Sequence, residues 1–158
     1  MRLYFLRHAD ASPGADDAAR PLTTLGEKQS KVVGHFLKQI GVMFDAAYSS
    51  PLVRAHQTAD LVLPITNHAE KLSLQVVEAL LNETSQAEFD RWLKKIPDGR
   101  HVLLVGHAPS LPERACHLLG VANAEVMKLP KAGLACIKTD DRETGSLKLF
   151  ISSKVLGE

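Results

Sequence analysis

The chain has 158 residues, of which 45% are hydrophobic and 23% charged, and this balance fits one globular domain over residues 1–158. Its 19 lysines and arginines against 18 aspartates and glutamates leave no charge excess for nucleic acid or a membrane surface. The two cysteines, with no apolar leader behind Met1, are not the pattern of a secreted disulfide framework. We therefore expect a cytoplasmic protein without nucleic-acid or membrane partners, and a monomer as the default.

Strands and helices follow from hydrophobic periodicity and from capping and turn residues. Thr24 with Glu27 and Ser85 with Glu88 form capping-box patterns that predict the starts of two helices. Pro64 is expected to end another helix. In chain order, strands are predicted over residues 3–6, 46–49, 74–77, 102–105, 133–138 and 146–151, and helices over 24–40, 52–63, 85–96 and 111–119.

Alternating strands and helices predict a largely parallel sheet with right-handed crossovers and helices on both faces. The last two strands, joined by turn residues 140–145, predict an antiparallel hairpin. The loop over residues 10–23 is unusually long, and loops of that length tend to carry function. The expected fold class is α/β, a single-domain three-layer α/β/α sandwich with a mostly parallel sheet, an antiparallel edge and no large helical insertion.

Polar side chains collect directly after three predicted strands. Arg7 and His8 follow the first strand, Arg54 comes shortly after the second, and His107 follows the run over residues 102–105. Because ligands of open α/β sheets bind beyond the carboxyl ends of the strands, we expect these residues to converge. The motifs contain no compensating carboxylate, and each guanidinium offers a planar fork of N–H groups. The cluster therefore suits a dianion such as a phosphoryl group.

His8 is the candidate nucleophile of this cluster. A neutral imidazole can attack phosphorus when its ring is held in line with the bond that breaks. Nearby cationic groups favour the neutral form of His8, because a second positive charge disfavours protonation. His107 would then share in stabilising negative charge across the pocket.

At these residues the sequence resembles the histidine phosphatase superfamily, also called phosphoglycerate mutase-like, and more closely its short SixA-like phosphohistidine phosphatase branch. Four ordered blocks carry the resemblance: L-R-H-A-D-A at 6–11, R-P-L-T-T-L-G at 20–26, S-S-P-L-V-R-A-H-Q-T at 49–58 and V-G-H-A-P at 105–109. Ala9 replaces the usual glycine of the first block. The resemblance implies that His8 is the phosphorylated nucleophile, that Arg7, Arg54 and His107 complete the phosphate pocket, and that Arg20 lies at its rim.

The general acid is the part of the family pattern that does not align. Family members often take it from a glutamate after the third strand, and the stretch V-V-E-A-L-L-N-E at 76–83 departs from that pattern. Glu78, Glu83 and Asp10 are the candidates, and for each the alternative is a surface or strand-edge carboxylate. An alkoxide needs protonation to leave, whereas the imidazole of phosphohistidine is a better leaving group. The missing acid and the short chain therefore favour a phosphohistidine-bearing protein as substrate.

Other functions stay open at this point. A phosphatase of small phosphomonoesters would use the same mechanism, a phosphoprotein-binding module would keep the pocket without catalysis, and a mutase is least expected. We predict no metal and no cofactor, since H-x-x-x-H, paired C-x-x-C, P-loop and G-x-G-x-x-G patterns are absent. Cys136 and Arg142 have the C-x5-R spacing of cysteine-dependent phosphatases. Asp140 and Asp141 between them would repel an anion, so we interpret this spacing as accidental.

Overall fold

The computed structural model describes the whole chain from Met1 to Glu158. It contains six strands and four helices, and three short 3-10 turns lie in the connections. The strands are β1 (Arg2–Arg7), β2 (Ala46–Ser49), β3 (Leu74–Val76), β4 (His101–Gly106), β5 (Leu134–Lys138) and β6 (Ser146–Ile151). The helices are α1 (Thr24–Gln39), α2 (Val53–Thr66), α3 (Gln86–Lys95) and α4 (Ser110–Leu118), and the turns are Asp17–Ala19, Glu78–Leu80 and Ala124–Val126.

All six strands form one sheet in the order β3-β2-β4-β1-β5-β6. β1 and β2 both pair in parallel with β4, and β3 pairs in parallel with β2. β5 runs antiparallel to β1, and β6 closes the edge as an antiparallel hairpin with β5. The predicted mostly parallel sheet with an antiparallel edge is therefore confirmed.

The sheet is covered by two helices on each face, which makes three layers. β1 has apolar side chains on both faces of the sheet. Tyr4 and Leu6 belong to the core on one side, and Leu3 and Phe5 belong to the core on the other. α1 and α2 fill the first side, and α3 and α4 fill the second. Strands buried on both faces carry continuous apolar runs, as β1 and β4 do. None of the helices combines the length and the apolar character needed to cross a bilayer.

The start of α1 is held against the turn that follows β1. Its N-cap is Thr23, one residue earlier than the capping pattern predicted, and the Thr23 hydroxyl accepts from the amide of Gly26. The same hydroxyl donates to the carboxylate of Asp10 at 2.7 Å. A Cβ atom on Gly26 would lie 2.0 Å from the Asp10 carbonyl oxygen, so only glycine fits there. Contact with Asp10 is the reason that Thr23, rather than Thr24, caps the helix.

α2 extends beyond Pro64, so the expected end at this proline is wrong. Pro64 lies in the last turn, where one missing N–H removes a single helical hydrogen bond. The helix recovers, because the amide of Asn67 donates to the carbonyl of Leu63 at 2.8 Å. The capping box of Ser85 and Glu88 at the start of α3 is confirmed.

Candidate active site

The sheet brings the predicted site residues to one edge. Arg7 at the end of β1 pairs with Gly106 at the end of β4, and Ser49 at the end of β2 pairs with Val105. The residues that follow these three strands therefore lie side by side. The ring centroids of His8 and His107 are 5.1 Å apart, and both side chains are buried.

One hydrogen bond determines which nitrogen of His8 is free. Its Nδ1 lies 2.7 Å from the carbonyl oxygen of Ala9, and a carbonyl can only accept. Nδ1 therefore carries the proton in the neutral ring, and the lone pair is on Nε2. Burial lowers the pKa of His8 to about 4, and the positive charges of Arg54, Arg7 and Lys131 lower it as well. His8 is thus a neutral imidazole at pH 7.

His107 is oriented by Ser50, with 2.5 Å between Nε2 and the serine Oγ. The amide of Leu52 donates to the same oxygen at 3.3 Å, and Nε2 is the one acceptor that the serine O–H has, so the serine hydrogen is directed at Nε2. That arrangement assigns the proton of the neutral His107 ring to Nδ1, which is buried and has no partner. Burial lowers the pKa of His107 to about 3, with further lowering by His8 and Arg54.

The two arginines are each anchored at one end of the guanidinium. Arg7 donates from Nη1 to the carbonyl of Leu129 at 3.0 Å. Arg54 donates from Nη1 to the carbonyl of Asp17 at 2.8 Å and from Nη2 to the Asp17 carboxylate at 3.3 Å. In both side chains the Nε–H is buried and has no partner. Each arginine therefore keeps a free donor after its position has been set.

Unsatisfied donors are concentrated at this edge of the sheet. Four buried side-chain polar atoms of the protein lack a hydrogen-bond partner: Arg7 Nε, Arg54 Nε, His107 Nδ1 and Arg114 Nη1. Three of the four belong to the predicted phosphate pocket, and each of those three is an N–H donor. Leaving a buried donor unpaired costs about 1–3 kcal/mol, so such a cluster is typical of a binding site for an acceptor-rich group.

Other residues of the sequence blocks hold the loops of the site in place. The amide of Ala9 donates to Thr58 Oγ1 at 3.0 Å, and the amide of Leu22 donates to Gln57 Oε1 at 2.8 Å. α2 thereby ties down both the turn after β1 and the end of the long loop. The block at residues 49–58 supplies this scaffold in addition to Arg54.

The candidates for a general acid differ in their surroundings. Asp10 accepts from Thr23 and from Lys131 Nζ, both at 2.7 Å. The hydrogen bond from Lys131 has the largest effect, and together the two contacts hold the pKa of the Asp10 carboxyl below its usual range. A carboxylate held ionised in this way is a poor proton donor at neutral pH. Glu78 and Glu83 are exposed, and neither side chain forms a hydrogen bond or an ion pair. No hydrogen bond or ion pair connects any of the three carboxyl groups to the three unpaired donors.

Two charged residues of the site were missed by sequence reasoning. Asp17 accepts from Arg54, and its other carboxylate oxygen lies 3.0 Å from Nε of Arg20. A carboxylate from outside the four sequence blocks therefore contacts the pocket arginines. Lys131 reaches the site from the segment before β5 through its ion pair with Asp10. The only signal for Asp17 is its place in the long loop, and nothing in the local pattern marks Lys131.

Cys136 and Arg142 do not form a phosphate loop. Cys136 lies within β5, between β1 and β6. Arg142 donates to the carbonyls of Leu93 and Ile96 at the end of α3. Both residues hold the fold together, which agrees with an accidental C-x5-R spacing. No three His, Cys, Asp or Glu side chains lie close enough together to hold a metal ion.

Known proteins match this chain in both sequence and fold. The family model of the histidine phosphatase superfamily (branch 1) matches residues 3–85. An uncharacterised protein of Picosynechococcus sp. is 36% identical over 145 residues, which cover 88% of this chain and 86% of that protein. Phosphohistidine phosphatase SixA of Escherichia coli is 38% identical over 63 residues, 39% of each chain. The structure of the protein histidine phosphatase SixA complexed with tungstate has the same fold, with a TM-score of 0.89, 24% identity and 99% coverage of both chains.

The chain therefore belongs to the histidine phosphatase superfamily, and this membership supports phosphatase activity, a hydrolase reaction. Within the superfamily, the resemblance to the SixA-like branch is confirmed by sequence and by fold.

Proposed function

We propose that the protein is a phosphohistidine phosphatase, which removes phosphate from a histidine of another protein through an intermediate on its own His8. The observation that carries the proposal is the set of three unpaired, buried N–H donors, on Arg7, Arg54 and His107, around a histidine whose Nε2 is unprotonated. These groups provide what phosphoryl transfer requires, namely positioned positive charge and a nucleophile.

The reaction has two displacements at phosphorus. In the first, Arg7, Arg54 and His107 donate to the phosphoryl oxygens while the lone pair on His8 Nε2 attacks. The substrate P–N bond breaks as the new P–N bond forms, and the leaving imidazole takes a proton from solvent. In the second, water attacks phosphorus, the bond to Nε2 breaks, and inorganic phosphate leaves with one proton of that water released. The guanidinium groups neutralise phosphoryl charge and the neutral His107 ring donates a hydrogen bond throughout, so we propose that no metal is required.

The state of the carboxyl groups supports a phosphoramidate substrate. Asp10 is held ionised by Lys131 and Thr23, and the side chains of Glu78 and Glu83 are exposed and form no hydrogen bond or ion pair. None of these carboxyl groups is positioned by a hydrogen bond to protonate a leaving alcohol, and the lack of a positioned acid slows its departure. The imidazole of phosphohistidine tolerates that lack better, because it is an intrinsically better leaving group.

The surroundings of the pocket support a protein as the carrier of the phosphohistidine. A groove of about 250 Å³ begins at Arg7 and runs between Pro109, Pro112 and Glu113 on one side and residues 124–129 on the other. The connection from β3 to α3 contains only a 3-10 turn and short loops, so no helical insertion encloses this edge of the sheet. The groove shares Arg7 with the phosphate pocket, so a protein that carries the phosphohistidine has a surface to contact directly beside the pocket.

We further propose that residues 1–158 form a single histidine phosphatase domain that acts in the cytoplasm. The first strand pairs with β4 and β5, so both halves of the chain share one sheet. Cys116 and Cys136 are both free and buried, as is usual for proteins of a reducing compartment.

The test is phosphate release in the presence of EDTA from two substrates, a phosphohistidine-bearing protein and p-nitrophenyl phosphate. We expect the wild type to prefer the protein substrate and His8→Ala to lose activity on both. His35→Ala, which removes an exposed histidine on α1, is the matched control and should behave as wild type. Preference for the small ester would favour a phosphomonoesterase, and no turnover of either would favour a phosphoprotein-binding module. Activity that survives in His8→Ala would exclude His8 as nucleophile.

A further inference from the structure

Asp17 bridges two arginines that the sequence assigns to phosphate binding. Its carboxylate lies 3.3 Å from Arg54 Nη2 through one oxygen and 3.0 Å from Arg20 Nε through the other. Its backbone carbonyl accepts separately from Arg54 Nη1 at 2.8 Å. The residue begins the 3-10 turn Asp17–Ala19 inside the long loop. A single loop residue, Asp17, therefore supplies the carboxylate that pairs with Arg54.

The two carboxylates near the pocket are not equivalent. Asp10 is neutralised by the ammonium of Lys131, and its negative charge is therefore balanced locally. Asp17 has no lysine, and its contacts are to Arg54 and Arg20 themselves. The positive charge of Arg54 holds the pKa of the Asp17 carboxyl below its usual range, so the group is ionised at neutral pH.

A phosphoryl group and Asp17 compete for the same positive charge. The buried Nε–H of Arg54 is free for a phosphate oxygen, while the outer nitrogens of the same guanidinium face Asp17. A phosphate dianion bound to Arg54 Nε would therefore lie on the opposite side of the guanidinium from the Asp17 carboxylate. The two negative charges would be close enough to repel each other. The side chain of Asp17 is 69% exposed, so water screens part of this repulsion without removing it.

We propose that Asp17 is a specificity-determining residue that weakens the binding of free phosphate and of small phosphate esters. This inference rests on the proposed function, and it extends that function to substrate choice. Inorganic phosphate has no contact beyond the pocket and is released readily. A phosphorylated protein gains further contacts along the groove beside Arg7, which offset the repulsion.

Binding of orthophosphate, measured by titration calorimetry on the intact chain, tests the proposal without requiring turnover. Asp17→Asn keeps an acceptor for Arg54 and removes the charge, so we expect roughly three- to tenfold tighter phosphate binding. The KM for p-nitrophenyl phosphate should fall in parallel while kcat does not rise, and added salt should reduce the difference between the two proteins.

Asp16→Asn is the matched control. Asp16 precedes the same 3-10 turn, and its side chain accepts from the amide of Ala18 at 3.2 Å, a contact that asparagine can reproduce. It has no contact with either arginine, so phosphate affinity should stay within about twofold of wild type.

Unchanged or weaker phosphate binding by Asp17→Asn would overturn the proposal and leave Asp17 with only a role in positioning Arg54. Arg54→Ala separates this failure from that of the proposed function. If Arg54→Ala binds phosphate as tightly as wild type, the pocket itself has been assigned to the wrong residues. If Arg54→Ala loses phosphate binding and Asp17→Asn changes nothing, only the role of Asp17 fails.

Discussion

Acidification should destabilise this protein well before its carboxylates are protonated, because two buried histidines resist protonation in the folded state. The pKa of His8 is lowered to about 4 and that of His107 to about 3, mainly by burial. In the unfolded chain a histidine titrates near 6.5. Below that pH the unfolded state binds protons that the folded state does not, so stability falls as the pH falls toward the folded pKa values. Above about pH 7 neither state binds these protons, and the effect vanishes.

The size of the effect follows from the two pKa values of each residue. A difference of one unit between the folded-state and unfolded-state pKa of a group changes stability by at most about 1.4 kcal/mol. Between about pH 7.5 and about pH 5, a histidine that titrates near 6.5 unfolded and near 4 folded loses about 2 kcal/mol of stability. His107 contributes a similar loss over the same interval. The sum, about 4 kcal/mol, is a large part of the total stability of a typical domain.

Urea unfolding at a series of pH values measures this loss directly. His8→Gln should remove about half of the pH dependence between pH 7.5 and 5, because one of the two buried imidazoles is gone. His35→Gln removes a histidine that is exposed on α1, and its pH dependence should match that of wild type. If His8→Gln loses the same stability on acidification as wild type, the argument from burial is wrong.

Two further predictions concern the support of the site. Gly26→Ala would place a Cβ 2.0 Å from the Asp10 carbonyl and should lower the free energy of unfolding by about 2–3 kcal/mol in urea titrations. Gly14→Ala, whose nearest contact is at 3.4 Å, should have almost no effect, and equal behaviour of the two variants would contradict the steric argument. Ser50→Ala removes the partner of His107 Nε2, so the ring proton should move from Nδ1 to Nε2 in ¹⁵N NMR spectra and kcat should fall at least roughly tenfold. A ring that keeps its proton on Nδ1 would show that Ser50 does not orient it.

The convergence of the predicted site residues could be foreseen because they follow strands whose apolar patterns are local. β1 and β4 are continuous apolar runs, and the sheet order makes β1, β4 and β2 neighbours, so Arg7, His8 and His107 had to lie at one edge. The position of Arg54, in the first turn of α2, followed from the same reasoning, since α2 begins shortly after β2.

The parts that sequence reasoning missed depend on contacts between distant segments. Lys131 meets Asp10 across 121 positions of the chain, and no local pattern encodes such a pair. Asp17 reaches Arg54 only because the long loop folds back over α2. The choice of Thr23 as N-cap likewise depends on its contact with Asp10, whereas the capping-box pattern with Glu27 favoured Thr24.

A transient phosphoenzyme is the most direct consequence of the proposed mechanism. Wild-type protein would be mixed with a ³²P-phosphohistidine-bearing protein, quenched at short times in alkali, which preserves phosphohistidine, and mapped by peptide digestion. We predict label on the peptide that contains His8, its disappearance as inorganic phosphate accumulates, and no label in His8→Asn. Phosphate release without labelled His8, or label on another residue, would contradict nucleophilic catalysis by His8.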